Sequence, residues 1–316
     1  MILSPTNPKI PHFSHVKDNT GLLLESPVVR PLANKVLLTI DLTPSVAEEA
    51  LAKDSNIGVI VAYHPTIFRG LKSLTLNDPL QEVILKCAAG GISVYSPHTA
   101  LDSVIGGIND ELCEIVSGLM PHQNQIYSAS GAIVEKNSDN ILNGVGLGGG
   151  RRVEFQKGKE VELDQLISRI KTGLGLSHVQ LAKSSVATPK IRSVGVCAGS
   201  GGSICSALGK SCDAFVTGEM SHVMFFYPLQ AQAYRSIKLT SVCASTFCFA
   251  IARTIERNAQ GIHVILTAHT NTERFFLARV LRLDCSNFLP KRLFNCLRTR
   301  IPNGTWTSAQ WIAIRW

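Results

Sequence analysis

The chain lacks the features that several classes of protein require. Its nine cysteines are odd in number and include no Cys-x-x-Cys pair, which argues against a disulfide framework and a structural zinc site and favours a reducing compartment. The apolar stretch 241–252 is too short to span a membrane. The N-terminal residues contain neither a secretory signal pattern nor a convincing transit peptide. We therefore expect a cytoplasmic protein, with the nucleus or mitochondrion as alternatives, and no membrane partner.

Acidic residues are scarce in two segments, and this scarcity explains the net charge of +8. Residues 220–255 contain three Lys or Arg and no acid, while residues 274–316 contain eight Lys or Arg and one acid. The rest of the chain, which carries the motifs, is slightly acidic. The charge therefore does not predict a nucleic-acid groove, and we expect no direct nucleic-acid binding. With 45% hydrophobic and 17% charged residues, the composition is typical of a folded globular protein.

Short apolar runs alternate with helical patterns in two parts of the chain. The first part predicts strands over 35–42, 57–62 and 92–96, with helices over 44–53, 79–89 and 106–117. The second part predicts strands over 191–198, 213–217 and 262–266, with helices ending at 208 and starting near 270. This alternation predicts an α/β fold of two αβ halves with mixed sheets.

The same pattern predicts a division into domains. We expect an N-terminal αβ half over 18–120, a connecting β-rich segment over 121–190, a C-terminal αβ half over 191–282 and an atypical tail over 283–316. An atypical insert, 223–255, interrupts the C-terminal half. Two interpretations of the insert and tail stay open, namely translated non-coding sequence in a gene model or a genuine lineage-specific insertion.

Two glycine-rich stretches have the composition of phosphate loops. Residues 146–150 lack the G-x-x-x-x-G-K-[ST] arrangement and predict a turn. Residues 199–203 precede a predicted helix, so they either present backbone N–H groups to an anion or allow close helix–strand packing.

Three predicted strands end in a histidine. These are His64, His98 and His269, and a carboxylate follows the last two after four residues, as Asp102 and Glu273. In open α/β sheets, ligands bind at the carboxyl ends of the strands. A single histidine at a strand end is ordinary, with packing as its simplest role, but three together favour a metal site. The side chains suit zinc, manganese or iron.

Four blocks of the sequence are distinctive, namely VIVAYHPTIF at 59–68, SPHTALD at 96–102, TGEMSH at 217–222 and HTNTER at 269–274. They resemble the signatures of the NIF-three-like family, many of whose members carry the name GTP cyclohydrolase 1 type 2. Residues 18–23 (DNTGLL) and 199–203 (GSGGS) are similar to two further family blocks. The resemblance covers about residues 18–222 and 256–274.

The resemblance implies a bilobed unit with a dinuclear metal site between the two halves. The implied ligands are His64, Asp102, His269 and Glu273, with Glu273 bridging the ions, His64 and Asp102 on one ion and His269 on the other. Many bacterial members have His-His where this chain has Tyr63-His64, so the second ion loses a ligand here. We therefore expect one or two divalent ions per chain.

The resemblance also suggests roles for polar neighbours of that site. His98, Glu219 and His222 are candidates for orienting ligands or for general acid–base catalysis, and each has a structural hydrogen bond as its alternative. The implied function is a metal-dependent hydrolase acting on a nucleotide or other small phosphorylated molecule, as the GTP cyclohydrolase name suggests. The alternative is a non-catalytic, metal-binding interaction protein in transcriptional regulation, because the family is named for binding a coactivator subunit. Family members assemble into ring-like hexamers, so we expect a homo-oligomer.

Overall fold

The computed structural model describes residues 18–118, 132–135, 141–142, 145–146, 148–185, 187, 190–208, 211–220, 261–281 and 311–315. They fall into two compact units, one within Met1–Ile108 and Glu273–Trp316 and the other within Asn109–Thr272. Each unit contains a mixed sheet with helices, so the predicted α/β class with mixed sheets is confirmed. The domain boundaries and the bilobed arrangement stay predictions.

The first unit is built on a five-stranded sheet in the order β1-β4-β3-β2-β15. Strands β2, β3, β4 and β15 are parallel, and β1 is antiparallel to β4. Three helices belong to this unit. The elements are β1 (Gly21–Leu24), β2 (Lys35–Thr39), α1 (Pro44–Leu51), β3 (Ile57–Ala62), α2 (Pro79–Ala89), β4 (Ser93–Ser96), α3 (Thr99–Ser103) and β15 (Trp311–Arg315).

Strand β3 is the centre of this sheet because its sequence suits burial on both faces. All six residues of IGVIVA are buried, as expected for an inner strand of a parallel sheet. Helices α1 and α2 begin where the sequence predicts, with Thr43 and Asp78 accepting hydrogen bonds from the first-turn amides and a proline at the first helical position. Their apolar faces pack with β2, β3 and β4 into one core that includes Leu37, Ile60 and Val83.

The second unit is built on a six-stranded sheet in the order β10-β14-β13-β12-β8-β5. Its inner strands β12, β13 and β14 are parallel, while β8, β10 and β5 pair antiparallel. Helix α4 (Ile108–Ser117) belongs to this unit from Asn109 onwards. Of helix α7 (Asn271–Phe276), only the first two residues belong to it. A π-helical turn, Leu277–Leu281, follows α7.

The remaining elements of the second unit lie between α4 and α7. They are β5 (Ala132–Glu135), β6 (Ile141–Leu142), β7 (Val145–Gly146), β8 (Gly148–Glu154), β9 (Val161–Glu162), α5 (Leu163–Leu174), β10 (Gln180–Ala182), β11 (Lys190–Ile191), β12 (Ser193–Ser200), α6 (Gly202–Leu208), β13 (Ala214–Glu219) and β14 (His263–Leu266). The core of this unit includes Phe215, Ile262 and Val264. Within the described residues, no helix combines the length and apolar character needed to cross a bilayer.

The structure corrects one prediction about the glycine-rich residues 146–150. Gly148 to Gly150 form the start of β8 rather than a turn. A Cβ on Gly149 would lie 2.9 Å from the Ile204 side chain, so the missing side chain lets helix α6 pack against this strand. The insert 223–255 lies outside the described residues, as does the tail except for β15.

Candidate metal centre

His64 is positioned by the parallel pairing of β2 and β3. These strands end side by side, and beyond their ends the His64 N–H donates to the Ile40 carbonyl at 2.9 Å. The imidazole Nδ1 lies 2.8 Å from Asp41 Oδ1, and Nε2 lies 3.5 Å from Glu273 Oε2. Burial alone would lower the pKa of His64, but the carboxylates of Asp41 and Glu273 raise it to about 10. His64 thus has one nitrogen held by Asp41 and the other directed at Glu273.

The segment from His269 to Glu273 consists of a tight turn and the first turn of α7. Ala268 has a positive φ of 68°, and the Thr272 N–H then donates to the His269 carbonyl at 3.2 Å. His269 Nδ1 lies 3.0 Å from Glu219 Oε1 at the end of β13. Glu273 is only 2% exposed. This buried carboxylate lies in the first turn of the helix, where the positive end of the helix dipole favours a negative charge.

His64, His269 and Glu273 form a cluster in which one ligand atom from each residue lies within 4.8 Å of the others. Two imidazoles and one carboxylate suit zinc, manganese or iron(II), so the donor set fits a divalent ion. In both histidines a carboxylate contacts Nδ1, from Asp41 and Glu219 respectively. This second contact helps to orient each ring and leaves its Nε2 as the nitrogen that could bind an ion.

The fourth implied ligand, Asp102, does not join this cluster. It lies on α3, and its Oδ1 accepts a hydrogen bond of 2.7 Å from the Tyr63 hydroxyl. Burial, opposed by the Tyr63 hydrogen bond and reinforced by the nearby Glu273 charge, raises the pKa of Asp102 to about 6. The assignment of Asp102 as a ligand stays a prediction.

His98 is held by a carboxylate that the sequence did not single out. Its Nδ1 lies 2.6 Å from Asp18 Oδ1, and the Thr99 hydroxyl donates to the other oxygen of the same carboxylate. His98 also has a positive φ of 34°, which is rare for a residue with a Cβ. Its ring meets those of Tyr63 and His64 edge-on, with both centroids at 5.7 Å. The contacts direct the imidazole towards the strand end that carries His64.

Of the two other polar residues predicted near the site, the structure describes only one. Glu219 contacts His269, in agreement with an orienting role, and His222 lies outside the described residues. Sequence reasoning missed Asp41 and Asp18. Asp41 had a usable signal, because it follows a strand next to the one that ends at His64, and adjacent parallel strands end at one edge.

The glycine loop 199–203 is explained by close packing. A Cβ on Gly201 would lie 2.5 Å from Thr217 Oγ1, and the Gly201 N–H already donates to the Glu219 carbonyl at 3.0 Å. Of the two interpretations left open by the sequence, these contacts favour helix–strand packing.

The Duf34/NIF3 (NGG1p interacting factor 3) family model matches residues 10–237. Protein NIF3 homolog of Schizosaccharomyces pombe is 39% identical over 271 residues, which is 86% of this chain and 82% of that protein. NGG1-interacting factor 3 of Saccharomyces cerevisiae is 37% identical over 278 residues, covering 84% and 82%. A GTP cyclohydrolase 1 type 2 homolog of Lactococcus lactis is 31% identical over 205 residues, covering 64% and 70%. The chain therefore belongs to the NIF3 family.

Solved structures agree with the fold at lower sequence identity. Reduced HcgD from Methanocaldococcus jannaschii has a TM-score of 0.60 at 18% identity, covering 90% of this chain and 89% of that one. A Bacillus cereus protein related to NIF3 has a TM-score of 0.56 at 19% identity, covering 84% and 85%. At these identities the likeness concerns the fold alone.

Proposed function

We propose that this NIF3-family chain is a metal-dependent hydrolase that acts on a nucleotide or another small phosphorylated substrate. The observation that carries the proposal is the cluster of His64, His269 and Glu273, whose ligand atoms lie within 4.8 Å of one another. Its two histidines are each oriented by a further carboxylate. Such a combination of ligands and orienting groups is the usual construction of a protein metal site.

The chemistry that a divalent ion supplies in such a site is activation of water and polarisation of a carbonyl or phosphoryl oxygen. His64 and His269 offer imidazole nitrogens, and Glu273 offers a buried carboxylate oxygen. Asp41 and Glu219 hold the rings in place. His98, held at Nδ1 by Asp18, has Nε2 left to exchange a proton with a substrate, so it is the proposed general acid or base. His222 remains a proposed contributor to the same step.

The name GTP cyclohydrolase 1 type 2 homolog, carried by the Lactococcus relative, supports a purine nucleotide as the substrate to test first. The family resemblance implies a dinuclear centre, a bilobed arrangement of the two halves and a homo-oligomer, and light scattering would test for a hexamer. A cytoplasmic location completes this proposal, with the nucleus or mitochondrion as alternatives. The proposed location rests on the reducing compartment that the odd number of cysteines and the absence of a Cys-x-x-Cys pair favour.

The test of the proposal is metal content and turnover measured on the same samples. Wild type and Glu273→Gln would be stripped with chelator, dialysed against Zn²⁺, Mn²⁺ or Fe²⁺, and assayed with GTP and other nucleoside phosphates. We expect Glu273→Gln to bind the ion at least about tenfold more weakly and to lose turnover, because it removes a buried ligand. Glu82→Gln is the matched control, since Glu82 pairs with Lys86 on α2 and should change neither property. Full turnover by metal-free wild type would contradict the proposal.

A non-catalytic interaction protein is the second candidate function. NGG1-interacting factor 3 of Saccharomyces cerevisiae carries a partner in its name, and one surface segment of this chain is unusually apolar. Between β3 and the first turn of α2, five large hydrophobic side chains are exposed: Phe68, Leu71, Leu74, Leu76 and Leu80. Exposed apolar surface of this kind marks many protein–protein contacts. An interaction in transcriptional regulation therefore remains a proposal beside hydrolysis.

Binding to purified yeast NGG1 protein separates the two candidates. If the chain is an adaptor, the double variant Leu74→Ser and Leu76→Ser should lose NGG1 binding, and Glu273→Gln should keep it. If it is only an enzyme, wild type should show no NGG1 binding while retaining metal-dependent turnover.

A further inference from the structure

Tyr63, which follows the end of β3, is buried, and its backbone and side chain are both fixed by contacts. Its side chain is 1% exposed. Its N–H donates to the Thr39 carbonyl at 2.9 Å, and its carbonyl accepts hydrogen bonds from the His98 N–H at 3.2 Å and the Ser96 hydroxyl at 2.8 Å. The ring contacts the His64 ring with centroids 5.2 Å apart. The backbone hydrogen bonds fix the position of Tyr63, and burial and the His64 contact restrict the direction of its phenol ring.

The Tyr63 hydroxyl contacts the carboxylate of Asp102, which the family resemblance implies as a metal ligand. It donates to Asp102 Oδ1 at 2.7 Å, a normal length for an O–H···O bond to a carboxylate. A phenol that carries its proton is a hydrogen-bond donor and not a ligand for a divalent ion. At this position the chain therefore supplies a donor to Asp102 instead of a second metal-binding nitrogen.

His98 cannot supply, through its Nδ1, the imidazole nitrogen that this chain lacks at position 63. His98 Nδ1 lies 2.6 Å from Asp18 Oδ1, and Asp18 is 4% exposed at its side chain. His64 has no nitrogen for a second ion either, since its Nδ1 contacts Asp41 and its Nε2 faces Glu273 in the cluster. Tyr63 is thus paired with Asp102 and His98 with Asp18, whereas His64, His269 and Glu273 direct their ligand atoms towards one another.

We propose that this centre holds a single divalent ion, at His64, His269 and Glu273, and that the Tyr63–Asp102 hydrogen bond takes the place of a second ion. The inference rests on the metal centre of the proposed function and departs from its dinuclear form. A one-ion centre lacks the paired ions with which two-metal phosphatases and nucleases hold both oxygens of an in-line displacement. Asp102 then has a structural role beside the centre and is not a ligand.

The test is the number of ions bound per chain, which needs no substrate. Chelator-stripped wild type, Tyr63→His and Asp102→Asn would be titrated with Mn²⁺ by equilibrium dialysis, with electron paramagnetic resonance to detect coupling between neighbouring ions. We expect wild type to bind one ion with an uncoupled spectrum. Asp102→Asn should keep that ion, because its amide oxygen can still accept from Tyr63. Tyr63→His should bind a second ion and show a coupled spectrum.

Tyr95→His is the matched control, because Tyr95 is a second buried tyrosine, on the neighbouring strand β4. It should stay at one ion, which shows that a new histidine recruits metal only at position 63. The wild-type and Asp102→Asn measurements keep the inference testable even if Tyr63→His fails to fold.

Two coupled ions in wild type would overturn the inference and leave the metal centre of the proposed function standing. Loss of the ion in folded Asp102→Asn, or a single ion in folded Tyr63→His, would also overturn it. No ion in folded wild type would remove both the inference and the metal-dependent function.

Discussion

At the residue scale, His263 shows how a histidine can serve the fold outside the metal centre. It lies at the start of β14, is 4% exposed, and its Nδ1 accepts a hydrogen bond from the Ser184 N–H at 3.2 Å. Burial lowers the pKa of His263, Lys183 lowers it further, and Asp213 opposes both. The native state therefore holds this ring neutral at pH values where the unfolded chain, with an ordinary pKa of 6.5, already binds a proton.

The expected consequence is a loss of stability on acidification. Above the unfolded pKa both states are neutral, and as the pH falls below it only the unfolded state gains the proton, so the free energy of unfolding decreases. His263→Asn removes the titration and keeps an acceptor for Ser184. In urea unfolding at about pH 7.5 and about pH 5.5, this variant should lose less stability than wild type. Equal losses in the two proteins would show that His263 is not the titrating group.

Removing the acceptor gives a second measurement at the same residue. His263→Ala leaves the buried Ser184 N–H without its partner, which costs about 1–3 kcal/mol. The free energy of unfolding at about pH 7.5 should therefore fall by that amount in His263→Ala and by clearly less in His263→Asn.

The two histidines of the candidate metal centre are visible in the sequence because they follow buried strands. His64 and His269 were predicted from that pattern and lie in one cluster with Glu273. Asp41 and Asp18 were missed because their roles depend on side-chain contacts with histidines, 23 and 80 residues away in sequence. No local pattern encodes the Asp18 contact, whereas the end of the strand next to the one that leads to His64 was a usable signal for Asp41.

At the scale of elements, β13 and the turn after β14 approach so closely that only glycine fits at position 218. A Cβ on Gly218 would lie 2.7 Å from both the Gly199 carbonyl oxygen and the His269 Cα. Both neighbours are backbone, so relief requires a shift of the turn that carries His269. Gly218→Ala should destabilise the protein by about 1–3 kcal/mol and weaken metal binding.

Gly70→Ala is the control for this change, because a Cβ there would meet nothing within 4 Å. Its stability should stay within about 0.5 kcal/mol of wild type. Thermal unfolding and metal titration on both variants test the comparison. Unchanged metal affinity in Gly218→Ala would mean that the turn tolerates the shift.

The start of α2 depends on a single side chain. Asp78 Oδ1 accepts hydrogen bonds from the N–H groups of Leu80 at 2.9 Å and Gln81 at 3.0 Å. Asp78→Ala removes both acceptors and should cost about 1 kcal/mol, whereas Asp78→Asn keeps an N-capping oxygen and should cost much less. Chemical denaturation measures the difference, and equal effects would indicate that charge, not capping, stabilises this helix end.

Elements with strong local signals agree most closely with the sequence predictions. Strand 57–62 and helix 79–89 have the predicted bounds, because a buried apolar run marks the strand and a cap and a proline mark the start of the helix. Strand β1 was missed because it has four residues that are each only partly buried. Residues 148–150 were misassigned because glycine favours turns locally, while pairing with β5 places Gly148 and Gly149 in a strand.

At the scale of the whole molecule, the α/β class followed from the alternation of strands and helices. The antiparallel strands that make both sheets mixed have weaker sequence signals, because pairing direction depends on contacts between distant segments. The candidate metal centre also depends on contacts between distant segments, since Glu273 contacts His64 although the two residues are far apart in the sequence. A ligand that requires this tertiary arrangement binds the native state and not the unfolded chain.

Metal binding should therefore stabilise the folded protein. At an ion concentration of about 100 times Kd, the gain is about 2.7 kcal/mol. For a chain of this size, that corresponds to an increase in Tm of about 5 °C. Wild type should show the increase when Zn²⁺ or Mn²⁺ is restored after chelation, and Glu273→Gln should not, because it lacks a buried ligand. A similar increase in both proteins would place the stabilising ion elsewhere, since only the wild-type centre contains the Glu273 carboxylate.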